Sequence, residues 1–160
     1  GQGEGALVPA IQPAEGCLMT TTTKSTKSET ALDRFITQTR ELFAREPEPE
    51  KRWTLLSPIL AELLADPTTI AASKKWPDCQ FVNNRVQNLM FYEDPDYKFI
   101  INGLVVNQTG YGSKTRIHDH GRVYTLYGLL DGHQRIERYE RADDGSKPGH
   151  AELRPTFYSE

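Results

Sequence analysis

The stretch Ile117-His118-Asp119-His120-Gly121 spends two of the chain's four histidines one residue apart. In a strand, residues i and i+2 leave from one face, so His118 and His120 would point together and Asp119 away. Two neutral imidazoles converging on one side suit a divalent metal ion. Arg116 shares that face if the strand is regular that far back, and Gly110-Tyr111-Gly112-Ser113 supplies the turn leading in. The plainer alternative is a solvated strand in which the two histidines merely alternate. His133 after a tight turn and His150 in a loop need no metal to account for them.

Such a pair needs a sheet to hold it, and the chain from Trp76 onward reads as one. The runs 81–93, 97–108, 116–130, 133–141 and 151–158 are rich in β-branched and aromatic residues and predict strands. Asp94-Pro95-Asp96, the 109–113 glycine turn, Asp131-Gly132 and the 143–149 run punctuate them. Asp131-Gly132 predicts a hairpin between 116–130 and 133–141.

Ahead of the sheet the period changes to that of helices. Thr26 and Glu29 have capping-box spacing, and Thr30 offers a second N-cap. Leu32, Phe35, Ile36, Thr39, Leu42 and Phe43 then share a helical face, which Pro47 and Pro49 end. Leu55, Leu56, Ile59, Leu60, Leu63 and Leu64 mark a second helix, with Pro58 expected near its first turn and Asp66-Pro67 as its stop. A short third helix is weakly signalled around 68–75. The fold class is thus α+β and mainly β: a helical hairpin (28–75) packed on a β-barrel portion (76–160) in a single domain. Residues 1–27, rich in glycine, proline and a polar Thr/Ser/Lys run, read as a disordered tail, within which Met19 could be an original start.

Composition excludes several function classes. At 160 residues the length suits about one domain, and 26% charged with 37% hydrophobic residues is ordinary for a globular one. A net charge of −3 without a Lys/Arg cluster tells against nucleic acid as partner. No apolar run approaches the roughly 20 residues of a membrane span. Cys17 and Cys79 lie in unlike contexts without C-x-x-C spacing, which fits a reducing, cytoplasmic setting and makes Cys79 a small buried hydrophobe. No phosphate-cradling glycine motif is present.

Gly112-x5-His118-x-His120 resembles the first motif of the cupin superfamily, whose fold is a double-stranded β-helix barrel. The glutamate of that motif has no counterpart, since Tyr124 or Thr125 stands in its place. Cupins without it include the thiol dioxygenases, in which three histidines hold ferrous iron. The run 84–94 (NRVQNLMFYED), the hydrophobic strand after it, IHDHG and YGLLDG are similar to that branch, over roughly residues 30–160. The resemblance implies Fe(II) on His118 and His120. It also implies oxidation by O2 of a small mercapto-carboxylate thiol to a sulfinate, without an organic redox cofactor. Arg85, Gln87 or Arg116 would meet the substrate carboxylate, with Gln87 at the place that distinguishes members preferring 3-mercaptopropionate. Tyr124 would hydrogen-bond an iron-bound ligand if it lined the barrel, and otherwise pack as an aromatic. No cysteine lies near Tyr124-Thr125-Leu126 for the thioether cross-link of animal-type members.

The family's second motif, which carries the third histidine, is expected after 151–158, and Pro148-Gly149-His150 comes too early for it. The third ligand is therefore not evident. The chain reads as an N-terminal part of such a domain, or as a portion that a second chain completes. The alternatives are a metal-binding or metal-free cupin with a sensing or structural role, its helical hairpin serving as a partner surface, or a cupin isomerase or lyase using another divalent metal.

Overall fold

The computed structural model describes residues 28–80, 86–106 and 115–159. They form a mixed α+β structure in which three helices precede four strands. The helices are α1 (Ala31–Arg45), α2 (Pro49–Ala65) and α3 (Pro67–Ser73). The strands are β1 (Val86–Glu93), β2 (Ile100–Val106), β3 (Ile136–Arg141) and β4 (Leu153–Ser159). Among the described residues the strands make two separate antiparallel sheets, β1-β2 and β3-β4, and no closed barrel.

The helix starts follow from capping chemistry. Thr30 caps α1: its hydroxyl accepts from Asp33 N at 3.1 Å, while the Asp33 carboxylate accepts from Thr30 N at 2.9 Å. This reciprocal box leaves few unpaired amides at the helix start. The expected box led by Thr26 lies outside the described residues. Glu46 ends α1, and Pro49 opens α2 at a position where its missing N–H costs nothing. The second helix therefore begins well before its leucine stripe, which places Pro58 inside it rather than in its first turn. There Pro58 cannot donate to the Thr54 carbonyl, so one rung of the helical ladder is lost. Asp66 both ends α2 and caps α3, accepting from Thr68 N at 2.8 Å.

Phe35, Thr39, Leu42 and Phe43 turn the buried face of α1 toward α2, where Leu56 is buried against them. Thr39 is satisfied within its own helix, donating its hydroxyl to the Phe35 carbonyl at 2.7 Å. Phe43 is the hub. It meets Trp53 of α2 edge-on at 6.1 Å, and Tyr97 and Phe99 of the β1-β2 connection at 5.9 and 5.3 Å. Ile59, Leu60, Leu63, Ile101 and Leu126 close around this core.

The β1-β2 ladder runs from Val86 opposite Val106 to Glu93 opposite Ile100, with an irregularity between Met90 and Tyr92. Strand alternation turns Gln87, Leu89 and Tyr92 inward with Ile101, Gly103 and Val105, and leaves Val86, Met90, Leu104 and Val106 exposed. The turn between the strands closes with Asp94 N donating to Phe99 O at 2.9 Å.

Two strand expectations need correction. Residues 115–135 form no strand, and Asp131-Gly132 joins no hairpin. Instead β3 pairs with β4 across the 142–152 connection, Ile136 opposite Ser159 and Arg141 opposite Leu153. The Asp119-x-Gly121 sequence is the physical reason. The Asp119 carboxylate accepts from Gly121 N at 2.9 Å, and Gly121 takes a φ of 60°, open to glycine at little cost. Val123 N then donates to His120 O at 3.1 Å, so the chain reverses just after the second histidine.

Candidate functional site

The segment that carries the histidines is positioned by α2 rather than by a sheet. Tyr124 stacks on Trp53, with centroids 6.2 Å apart and planes 29° apart. Leu126 joins the core cluster. Gly128 faces Leu64 so closely that a Cβ there would stand 2.1 Å from Leu64 Cδ1. Lys74, just past α3, reaches Asp131 at 2.6 Å. Successive residues of the segment thus meet successive residues of the helical layer, and the segment runs in the direction of α2. The Lys74 ammonium, with the Gly132 amide, holds the Asp131 carboxyl below its ordinary range.

This framework brings His118 and His120 together without a strand. Their ring centroids are 5.2 Å apart, and both side chains are exposed. His118 Nδ1 lies 2.7 Å from the Arg116 carbonyl oxygen. A carbonyl only accepts, so Nδ1 carries a hydrogen, and in the neutral ring Nε2 is then the nitrogen with the lone pair. That backbone contact is the kind of second partner that fixes the tautomer of metal-ligating histidines. Tyr127 returns to the pair from the far side of the turn, its hydroxyl 3.4 Å from His120 Nε2.

The other expected site residues are spread more widely. Arg116 is adjacent in sequence to this turn, exposed, and lends its carbonyl to His118. Gln87 is half-buried on β1, and its side-chain oxygen accepts from Gln80 N at 3.4 Å. Arg85 lies outside the described residues. Tyr124 has its ring on Trp53. His133 and Tyr127 line one cavity of about 260 Å3 together with Gly128, Leu129, Gln134 and Ile136. Among the described residues no group of three His, Cys, Asp or Glu side chains gathers as metal ligands.

The donor chemistry of the pair therefore fits a divalent or trivalent first-row ion only in part. Two imidazoles stand ready and a third donor must come from another residue type or another source. Tyr127 and the Asp119-Gly121 turn are what sequence reasoning missed. The D-x-G pattern signalled the turn, whereas nothing in the spacing of Tyr127 announced its return to His120.

No helix among the described residues is long and apolar enough to cross a membrane. No protein-family model, curated protein or solved structure matches this chain.

Proposed function

We propose that this chain carries the metal-holding part of a non-haem iron oxygenase that oxidises a small mercapto-carboxylate thiol to its sulfinate with O2. The observation that carries this reading is the His118–His120 pair, its rings 5.2 Å apart and His118 Nδ1 engaged by the Arg116 carbonyl. When bound, the iron would lower the proton affinity of a substrate thiol and bring thiol and O2 together. Nε2 of His118 and an imidazole nitrogen of His120 would hold it. Arg116, Arg85 and Gln87 are the side chains proposed for the substrate carboxylate, a guanidinium by paired N–H donors and Gln87 by its amide nitrogen. Tyr124, stacked on Trp53, packs the segment in place, and its hydroxyl is the group offered to an iron-bound ligand. Tyr127 also borders a shallow recess of about 260 Å3 that is half open to solvent. A cupin barrel flanked by the helical hairpin, with a second chain contributing to the barrel and a reducing cytoplasm as its setting, belongs to the same proposal.

The exposure of both histidines favours a second reading, a cupin-type metal site with a sensing or structural role, or an isomerase or lyase using another divalent ion. One set of measurements separates the two. Anaerobic loading with Fe(II) should give near-stoichiometric iron by elemental analysis, lost in both His118→Ala and His120→Ala. Oxygen uptake that depends on added 3-mercaptopropionate or cysteine supports the oxygenase. Bound iron without thiol-dependent uptake supports the second reading, and unchanged metal content in His118→Ala ends every metal reading.

A further inference from the structure

The Tyr127 hydroxyl and His120 Nε2 stand 3.4 Å apart, at the long end of a hydrogen bond and also at the spacing two donors keep on one metal ion. The heavy atoms of an O–H···N bond settle at about 2.7–3.0 Å. Two donors on one tetrahedral ion, with bonds of about 2.0–2.1 Å, lie about 3.3–3.4 Å apart. The rings agree with that spacing. Two imidazoles bound through nitrogen to such an ion place their centroids about 5 Å apart, and His118 and His120 stand at 5.2 Å. A phenol oxygen bent onto the same ion puts its ring about 6 Å from an imidazole, and Tyr127 is 6.3 Å from His120.

We propose that the Tyr127 oxygen is the third donor of the His118–His120 metal site, which becomes a set of two imidazoles and one phenolate. The proposal rests on reading the histidine pair as metal donors. The phenol proton passes to solvent as the oxygen–metal bond forms, and the anionic oxygen offsets one charge of the ion. That is the service a carboxylate would render at the place occupied by Tyr124 or Thr125. Phenolate is a hard donor, so the set favours ferric iron or zinc over soft cations such as Cu(I). Tyr127 also walls the neighbouring cavity, so a ligand held there lies beside the ion.

The test is iron loading under nitrogen followed by admission of air, with iron per chain and visible absorption as readouts. The parent should retain iron and develop a phenolate-to-iron(III) charge-transfer band. Tyr127→Phe keeps the ring and its edge contact with His120, and should lose the band and more than about tenfold in iron affinity, since outer-shell partners alone command 10–100-fold. Tyr158→Phe, on the exposed part of β4, should keep both. Iron that depends on His118 but brings no band, or a band that survives in Tyr127→Phe, overturns Tyr127 as donor and leaves the histidine pair standing. A parent that retains no iron overturns both.

Discussion

Arg40 on α1 grips both carboxylates of the β1-β2 turn, one guanidinium nitrogen on Asp94 and the other 2.6 Å from Asp96. Asp94 is completely buried, and each of its oxygens is used. One accepts from Asp96 N at 3.0 Å and Tyr97 N at 2.6 Å; the other accepts from the Tyr92 hydroxyl at 2.9 Å and from Arg40. A fork geometry matched to paired acceptors is what arginine offers and lysine does not. The contact ties the helical layer to the first sheet beside Phe43, Tyr97 and Phe99, so the charge pair and the aromatic hub orient the same joint.

The buried carboxylate predicts an acid-sensitive joint. Burial favours the neutral Asp94, but the Tyr97 amide, the Tyr92 hydroxyl, Arg40 and the Asp96 amide together outweigh it and hold the carboxyl below its ordinary range. A carboxyl whose folded value lies below the unfolded one, near 3.9, adds stability that is fully present above about pH 4–5 and lost as pH falls through the folded value. Urea midpoints at pH 6 and pH 3 check this. Asp94→Asn should lower the midpoint at pH 6 and narrow the drop between the two pH values. An equal drop in parent and variant would remove Asp94 from the account of acid sensitivity.

The core predicts a cost centred on α1. Leu42 has no solvent exposure and sits within the Phe35, Phe43 and Leu56 cluster. Truncating it should cost about 2–5 kcal/mol, the range for a buried leucine whose cavity collapses incompletely. Chemical denaturation of Leu42→Ala beside Leu55→Ala, exposed on α2, reads the difference. Equal losses would mean that the α1-α2 packing contributes little to global stability.

Two glycines predict unequal penalties for the same substitution. A Cβ at Gly103 would lie 2.6 Å from two Phe91 ring atoms and 2.8 Å from the Trp76 ring, which already lean on each other at 5.2 Å. At Gly128 it would meet only the end of the Leu64 side chain. Two rings must move in the first case and one flexible side chain in the second. Gly103→Ala should therefore cost about 1–3 kcal/mol, the range for overpacking, and Gly128→Ala should fall at its low end. Thermal midpoints of the two variants test the ranking.

What could be read from the sequence was whatever local chemistry alone decides. The apolar face of α1, its end at the EPEPE run, the stop at Asp66-Pro67 and the Asp94-Pro95-Asp96 turn all rest on capping, proline sterics and period. Pairing partners were less legible, because alternation tells which residues are strand-like and not which strand lies beside which. The run 116–130 has β-branched and aromatic residues at strand spacing, yet the Asp119-Gly121 turn and the packing of Tyr124, Leu126 and Gly128 on α2 hold it out of either sheet. The histidine pair was visible as a pair. Its companion Tyr127 was not, since the return depends on a backbone reversal at Gly121.

No Cα of the β3-β4 ribbon comes within 8 Å of another helix or strand among the described residues, and none of its side chains belongs to the core cluster. A lone two-stranded ribbon is marginally stable in water. Its cross-strand supports are side-chain pairs such as Arg154 with Glu140 and the guanidinium of Arg138 over the Phe157 ring at 5.4 Å. The ribbon is consequently a cooperative unit of its own, opening at lower free energy than the α1-α2 core. Under native conditions its backbone amides should trade hydrogen for deuterium well before those of Phe35 to Phe43, so that one chain shows two tiers of protection.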